Sequence, residues 1–516
     1  MKKYIINISL VIAVILGSSC SDWLDVEPKD KNLEGKQFSS EIGINNVLNG
    51  IYIGMSSKKL YGGNMSQTTI EHLAHYYYVP STDIGVTNTN YSKFYVYQSY
   101  DYNNDVIKDT FKEIWTDAYA LIFRINNFIA NVENTTVVTP EKRDILLGEA
   151  YALRAFLHLD LFRLYGPIYR GNSEKKSLPY NDKSQAETYP VLTAAAFMDR
   201  VLSDIETAER LLENDPILKE GILNPNDEEG LSSVDKFEKY ARNKRLNLIA
   251  VRALHARVLV VADRLSEAAD IARDLINLPG LIEPVDRVNS NAIFTWVKSD
   301  NITADKEKDY IFKTEVLFSI HNIDLYSNWT EFTESATNGK TYSVHITNII
   351  SNIFGEEKAT SIGESSDLRI KQWSAAIELG ANQYVSIRYK KFGNIEAKNS
   401  IRYMQPLMRM TELFYLILED EINKGKLDSA TELADLLMIR RGYKDNELYK
   451  TTASELALRE FLLKEYYREF YAEGQAFFYL KRIESDVILN SNGTKGYMDM
   501  DLYDYVVPLP DTEKYN

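Results

Sequence analysis

Apolar residues that recur at steps of three and four positions dominate several long stretches of this chain. Such spacing places them on one face of an α-helix. A helix with one apolar face must bury it against another element, and no equally long alternating β-pattern competes. The spacing therefore predicts a mostly α-helical protein, with long helices over 106–132, 140–165, 193–213, 245–263 and 454–482.

Two of the predicted helices resemble each other. Residues 265–275 read LSEAADIARDL and residues 427–437 read LDSATELADLL, and each follows another helical segment after a short polar link. Alanines at matching positions let paired helices approach closely, as in tetratricopeptide hairpins. No strict 34-residue period joins the two copies, so two ordinary helical hairpins with alanine at the contact are an equal interpretation.

Two segments differ from the helices in composition. Residues 61–105 are rich in Tyr, Asn, Ser, Thr and Gly, and residues 283–400 mix short β-like runs with Asn, Ser and Gly. Irregular segments of this length inside a compact chain are usually functional. We expect helices over about 38–60, 106–280 and 401–482 to form a scaffold, and the two irregular segments to carry a ligand surface.

The N-terminus has the features of a secretory signal. Lys2 and Lys3 precede thirteen mostly apolar residues, too few to span a bilayer, and Gly17 begins the small-residue run that ends at Cys20. Because Cys20 is the only cysteine of the chain, we favour a bacterial lipoprotein signal over an ordinary one with an incidental cysteine. Residues 1–19 would be removed, Cys20 would carry the lipid, and 20–37 would be a tether.

Composition and missing motifs exclude several function classes. The formal net charge of -15 argues against nucleic acid and against an anionic membrane surface as partners. One cysteine allows no internal disulfide and no cysteine-based metal site. The chain has no GxSxG, P-loop, GxGxxG or HExxH motif, and among 74 acidic residues no pair stands out as a glycosidase pair. We therefore predict no catalysis and no cofactor.

Aromatic residues of the irregular segments are the predicted ligand contacts. Sugar rings have apolar C–H faces that a flat aromatic ring covers, while neighbouring polar groups bind the hydroxyls. Trp329 is the first choice, because Asn328 and Thr330 flank it. The other candidates are Trp296, Tyr326, Tyr342, Tyr77, Tyr78, Tyr91 and Tyr95. His72 and His75 could share a helix face, but no third ligand is evident, so we predict no metal and interpret them as a polar surface or a packed pair.

Several phrases, taken in order, resemble the SusD/RagB family. CSDWLDVEP from Cys20 resembles the start of the family's mature chains, and GEAYALRAFLHLDLFRLYGPI (148–168) resembles its best-known helix. Further matching phrases are WTDAYALIFRINNFI (115–129), AVRALHARVLV (250–260), MRMTELFYLILED (408–420), IRRG (439–442), REFLLKEYYREFYAEGQAFFYLKR (459–482) and YVVPLPDTEKYN (505–516). The resemblance covers nearly all of the chain after the signal.

The resemblance implies a SusD-like body over 38–516, with four tetratricopeptide-like units and an irregular ligand-binding part. It implies a lipid-anchored, cell-surface protein of the outer membrane. That protein would bind oligosaccharides or polysaccharide fragments and deliver them to a SusC-like TonB-dependent transporter. Three alternatives stay open: a RagB-like protein that takes peptides, a secreted glycan hydrolase on a helical scaffold, and a helical scaffold that binds only its protein partner.

Overall fold

The computed structural model describes residues 35–79, 95–185, 187–222, 241–289, 291–303, 308–333, 342–355, 365–375, 382–389 and 400–513. Contacts within the chain define two compact units, Met1–Val47 and Leu48–Asn516. The first unit contributes the start of one helix to the described residues. The second contains the other elements, including everything discussed below. Cys20 and Tyr91 lie outside the described residues, so the lipid site and this tyrosine stay predictions.

α-Helices are the predominant secondary structure of the described residues, as predicted. They are α1 Glu41–Met55, α2 Thr69–Leu73, α3 Asp105–Val132, α4 Pro140–Tyr165, α5 Ala194–Leu211, α6 Ile217–Glu220, α7 Leu248–Val261, α8 Leu265–Asn277, α9 Ser299–Thr303, α10 Leu325–Thr333, α11 Thr411–Asn423, α12 Leu427–Arg440, α13 Glu455–Glu469 and α14 Gln475–Arg482. The predicted mostly α fold is confirmed.

The strands are short and form small antiparallel sheets. They are β1 Lys176–Pro179, β2 Val191–Thr193, β3 Val316–His321, β4 Val344–His345, β5 Trp373–Ala375, β6 Gln383–Ser386, β7 Met404–Arg409, β8 Val487–Leu489 and β9 Tyr497–Asp499. Strand β1 pairs with β2, β3 with β7, and β8 with β9, while β4, β6 and β5 form a three-stranded sheet in that order. Strands β3 to β6 confirm the β-like character predicted within 283–400.

Helix ends follow the capping residues of the sequence. Helix α4 has Pro140 at its first turn, the Thr139 side chain accepts a hydrogen bond from the Lys142 N–H, and Gly166 follows the last turn. The Asn104 side chain likewise accepts from the Val106 N–H at the start of α3. These local hydrogen bonds explain why both helices begin within one residue of the predicted positions.

Buried alanines lie where the paired helices meet. Helix α4 packs against α3 and α5, α7 against α8, and α11 against both α8 and α12. Ala256 of α7 and Ala268 of α8 share a buried cluster with Leu259, Val260 and Leu416. Ala430 and Ala434 of α12 are fully buried as well. The two similar segments are therefore α8 and α12. Each buries its alanine face, as both hairpin interpretations, tetratricopeptide-like and ordinary, require.

The predicted single helix over 454–482 is wrong. The structure divides it into α13 and α14, because Ala472 and Gly474 adopt left-handed φ angles of 58° and 72°. A Cβ on Gly474 would lie 2.4 Å from the carbonyl oxygen of Met65. The interruption allows the buried Glu473 carboxylate to pair with Arg388 and Arg409. Apolar spacing continues through the break, so the sequence pattern does not reveal it.

A buried group of ion pairs, which we call the glutamate–arginine network, joins α13 to its neighbours. Glu469 accepts hydrogen bonds from Arg369 at 2.7 Å and from Arg441 at 2.6 Å, and it also pairs with Arg409. Arg441 in turn donates to Glu315 at 2.6 Å. Every one of these side chains is at most 2% exposed. The network thus connects the segment 365–372, the residue before β3, strand β7, the residue after α12, and α13.

The surrounding charges decide the protonation of Glu469. Burial alone raises the pKa of a carboxyl group, but the guanidiniums of Arg409, Arg441 and Arg369 outweigh burial and hold the pKa of Glu469 below its ordinary value. The same balance, with Arg369 as the main partner, lowers the pKa of Glu465 to about 2. Both carboxylates are therefore charged at neutral pH and compensate the buried arginines.

Removing the charge of Glu469 should destabilise the protein strongly. In Glu469→Gln three buried guanidiniums lose their shared carboxylate, and breaking buried pairs of this kind costs about 3–5 kcal/mol. Urea unfolding followed by circular dichroism measures this loss. The control is Glu460→Gln on the same helix, which loses a partly exposed pair with Lys464 and should change the free energy of unfolding by only about 0.5 kcal/mol. Equal effects of the two substitutions would contradict the role of the network.

Candidate ligand-binding site

The two irregular segments meet beside the three-stranded sheet. The backbone N–H of Tyr78 donates to the carbonyl oxygen of Ser343 at 2.7 Å, and β4 follows Ser343 directly. Strand β4 pairs with β6, with Val344 opposite Tyr384. Residues far apart in sequence thus form one surface.

Four aromatic residues pack together where the segments meet, and we call them the aromatic cluster: His72, Tyr77, Tyr97 and Tyr342. The Tyr77 and Tyr342 ring centroids are 4.8 Å apart, and the His72 ring lies 4.9 Å from Tyr77 and 5.2 Å from Tyr342. His72, Tyr77 and Tyr97 are buried, and Tyr342 is half-buried. Such ring contacts add about 0.5–1.5 kcal/mol per pair beyond the effect of burial. The cluster therefore stabilises the position of the neighbouring surface residues.

Two half-buried rings form the outer edge of this region. The Tyr78 and His345 ring centroids are 5.3 Å apart, with an angle of 38° between the planes. Nδ1 of His345 accepts a hydrogen bond from the Thr347 N–H at 3.2 Å. Burial lowers the pKa of His345, so the ring is neutral at pH 7 and carries its proton on Nε2. The edge therefore combines a flat apolar ring with a hydrogen-bond donor.

Three predicted contacts, Tyr77, Tyr78 and Tyr342, come together in this place. Tyr77 itself is only 1% exposed, so its ring supports the surface and does not present one. Burial raises the pKa of Tyr342 above its ordinary value, which keeps the phenol neutral. Tyr78 and Tyr342 thus remain candidate contacts. The prediction that Tyr77 offers an exposed ring to a ligand is wrong.

Trp329, the first choice from sequence, is buried at 2% exposure. Its indole Nε1 donates to the carbonyl oxygen of Ser386 at 3.2 Å, and its ring contacts Tyr389 and Tyr471 edge-on at 5.1 and 6.2 Å. These contacts hold α10 against β6. The prediction of an exposed Trp329 platform is therefore wrong, because the residue has a satisfied donor and a packed ring.

Trp296 belongs to a different part of the molecule. It is 3% exposed, its Nε1 donates to the carbonyl oxygen of Glu283, and its ring packs 5.0 Å from that of Phe414. It lines an open cleft of about 740 Å³, in which Val288 and Ile439 are the more exposed apolar residues. The prediction that Trp296 offers an exposed ring to a ligand is wrong, because its indole is packed and bonded.

The remaining described candidates are accessible. Tyr326 on α10 is half-buried, and Tyr95 is 41% exposed. The ring contacts described for the aromatic cluster include neither residue, so both stay predictions. Tyr95 is two residues before Tyr97, whose hydroxyl pairs with that of Thr110 at 2.7 Å.

The two histidines of the sequence EHLAH have different environments. His72 is part of the aromatic cluster, whereas the His75 ring stacks on Tyr100 at 5.6 Å and its Nε2 contacts the carbonyl oxygen of Gln98. Burial lowers the pKa of His75 to about 4. Within the described ranges no group of three or more His, Cys, Asp or Glu side chains could hold a metal ion.

Sequence reasoning missed His345. It lies three residues after Tyr342, inside the irregular segment that was selected for its rings, so counting histidine among the ring-bearing residues would have found it. It also missed the turn between β8 and β9, whose Gly493 contacts the His345 ring. That turn lies outside both irregular segments, but its sequence NSNGTKG contains Asn492-Gly493, a hairpin-turn signal that would have found it.

A buried carboxyl group lies next to the aromatic cluster. Glu71, adjacent to His72, is 1% exposed and accepts a hydrogen bond from the Gly474 N–H at 3.0 Å. Burial is the main reason that its pKa rises to about 8; the Gly474 hydrogen bond opposes the rise, and the charge of Glu473 adds to it. Glu71 is therefore largely protonated at neutral pH.

Comparison with known proteins matches most of the chain to one family. A model described as starch-binding associating with outer membrane matches residues 22–221, and a model described as SusD family matches residues 296–513. SusD-like protein P38 of Formosa agariphila is 29% identical over 224 residues, 41% of this chain. The match spans only 39% of that relative's length.

Solved structures share the fold over nearly the whole chain. A SusD superfamily protein from Bacteroides thetaiotaomicron has a TM-score of 0.64 at 16% identity, and covers 92% of this chain and 97% of its own. A SusD-like carbohydrate binding protein from Bacteroides vulgatus scores 0.62 at 16% identity, covering 92% and 96%. Surface glycan-binding protein A from Bacteroides thetaiotaomicron scores 0.59 at 15%, covering 92% and 97%.

This chain belongs to the SusD/RagB family. The predicted tetratricopeptide-like helical scaffold with an irregular, short-strand-rich part is confirmed with it. Among the described residues no helix is both long and apolar enough to cross a membrane.

The raised pKa of Glu71 predicts a pH effect on stability. Between about pH 4.5 and 8, Glu71 keeps its proton in the folded protein but has lost it in the unfolded chain. The free energy of unfolding therefore falls as pH rises through this window. Glu71→Gln has no such proton. Its free energy of unfolding, relative to wild type, should increase from pH 5 to pH 8 by up to about 1 kcal/mol per pH unit.

Urea unfolding at pH 5, 6, 7 and 8 measures this difference. Glu432→Gln serves as the control, because Glu432 is exposed on α12 and should leave the pH profile of wild type unchanged. A Glu71→Gln profile parallel to that of wild type would show that Glu71 is ionised in the folded protein.

Proposed function

We propose that this protein binds oligosaccharides or polysaccharide fragments at the cell surface and passes them to a SusC-like TonB-dependent transporter, without catalysis. The proposed anchor is a lipid on Cys20 in the outer membrane, after removal of residues 1–19. Residues 20–37 would tether the body, 38–516, and let it reach ligand away from the membrane. Family membership supports each of these steps.

One observation carries the ligand part of the proposal: both irregular segments contribute to a single half-buried edge. Tyr78 comes from the first segment, and Tyr342 and His345 come from the second. Carbohydrate recognition requires an apolar ring for the C–H face of a sugar and fixed donors for its hydroxyls. Tyr78 supplies the ring, and Nε2 of His345 supplies a donor.

The comparisons favour glycan over peptide. Two of the structural relatives are named for carbohydrate or glycan binding, and one matching family model is described as starch-binding. A hydrogen-bonding aromatic edge suits the C–H faces and hydroxyls of sugars. The absence of catalysis is proposed from the family, whose members are generally carbohydrate-binding proteins without enzymatic activity.

Tyr78→Ala should abolish most glycan binding. The soluble form that lacks residues 1–20 is first screened on a glycan and peptide array, and the oligosaccharide with the strongest signal is then titrated by calorimetry. Removing a stacking ring costs about 1–2 kcal/mol, or roughly tenfold in affinity. Because Tyr78 is half-buried at the edge, the melting temperature should change little.

Tyr503→Ala is the matched control, since Tyr503 is 85% exposed and is the most exposed of the large apolar side chains that the structure describes. Its affinity should equal that of wild type. Binding to peptides alone would favour the RagB-like alternative, and release of reducing sugar by the pure protein would favour the hydrolase.

Cys20→Ser should release the protein from the membrane. Without the thiol no diacylglycerol can be attached, and a folded body without a lipid chain loses about 0.8 kcal/mol of membrane binding per missing CH₂. Immunoblots of fractions from the native host measure the distribution. Wild type and the control Ser18→Ala should resist salt extraction and dissolve in detergent, whereas Cys20→Ser should leave the membrane fraction. A salt-resistant Cys20→Ser protein would overturn the lipid anchor.

A further inference from the structure

The turn between β8 and β9, residues 490–496, reaches the candidate site from the C-terminal part of the chain; we call it the hairpin turn. Ser491 Oγ donates to the side-chain oxygen of Gln98 at 2.9 Å, and Gln98 Nε2 donates to the carbonyl oxygen of Tyr77 at 2.7 Å. The hairpin turn is thus connected to the residue that precedes Tyr78.

A second set of hydrogen bonds fixes the turn to the segment after β4. Asn352 lies in the π-helix Asn348–Ile353, and its Nδ2 donates to the carbonyl oxygen of Thr494 at 3.1 Å. The Gly496 N–H donates back to Oδ1 of Asn352 at 2.8 Å. Asn352 is buried, so these bonds are shielded from water. A π-helix is rare and often lies near a functional site.

Gly493 lies directly against the ring of His345. A Cβ on Gly493 would be 3.0 Å from Cγ and Nδ1 of His345 and 3.1 Å from Cδ2. The φ angle of Gly493 is +87°, which also disfavours any side chain there. The imidazole therefore packs against Gly493 and is held at Nδ1 by the Thr347 N–H. Its Nε2 has no hydrogen bond among the residues that the structure describes.

We propose that the hairpin turn is a third part of the ligand surface, and that Gly493 positions His345 so that its Nε2–H donates to a hydroxyl of a bound neutral oligosaccharide. The sugar ring next to that hydroxyl lies on Tyr78. His345 is the ligand contact, and Gly493 is a positioning residue. The inference rests on the proposed function and adds to it the hairpin turn and Gly493 as a positioning residue.

Two glycines of the same turn provide the test. Gly493→Ala introduces a Cβ against the ring, whereas Gly496→Ala introduces one at φ +101° with no heavy atom within 4 Å. Both variants carry backbone strain, so both should lower the melting temperature by similar amounts. Calorimetry with the strongest array oligosaccharide should show about a tenfold loss of affinity for Gly493→Ala and less than about twofold for Gly496→Ala.

Variants of His345 test the contact independently, in case Gly493→Ala does not fold. His345→Phe keeps a ring without the donor and should lose about tenfold in affinity, whereas His345→Gln keeps an N–H donor and should recover part of that loss. In a His345→Phe background, Gly493→Ala should have no further effect on affinity.

The outcomes separate the two proposals. A wild-type protein that binds no array glycan overturns the proposed function and this inference together. A wild-type protein that binds, with Gly493→Ala matching Gly496→Ala in affinity, overturns this inference alone. Equal affinities of wild type and His345→Phe would likewise overturn this inference and leave glycan binding itself intact.

Discussion

The carboxylate of Glu469, held among three buried arginines, is the constraint on which the rest of the structure depends. Buried charges are tolerated only when partners lie at hydrogen-bonding distance, so Arg369, Arg409 and Arg441 must each be brought to one place. These arginines come from three separate stretches of sequence. The network therefore specifies how β3, β7, α12 and α13 meet, while apolar packing alone would accept several arrangements.

The same region supports the ligand edge. Four residues after Glu469, Glu473 pairs with Arg388 and Arg409, and Gly474 donates its N–H to Glu71 beside the aromatic cluster. Scaffold and ligand surface are thus one continuous body of buried contacts. A half-buried ring such as Tyr78 gains a fixed position from this arrangement, which reduces the entropy that binding would otherwise cost.

Predictions from sequence succeeded where the cause was local. Helix α4 begins at Pro140 because Thr139 caps it, and α8 and α12 bury their alanines because those residues share one helical face. They failed where the cause was distant in sequence. The left-handed Ala472 and Gly474 interrupt an apolar pattern that continues through them, and Trp329 is buried because its indole finds the carbonyl oxygen of Ser386. The residues next to Ala472, Gly474 and Trp329 in the sequence do not reveal either effect.

By itself, the sequence determined the helical class, most helix boundaries, the family, and the two segments in which ligand contacts should be sought, because periodicity, caps and composition are local properties. Only the tertiary structure decided which rings of those segments face outward. Exposure depends on what packs against a ring: Trp329 has Tyr389 and Tyr471, whereas Tyr78 has the half-buried His345. The contact between Gly493 and His345 joins residues nearly 150 positions apart, and only folding brings such residues together.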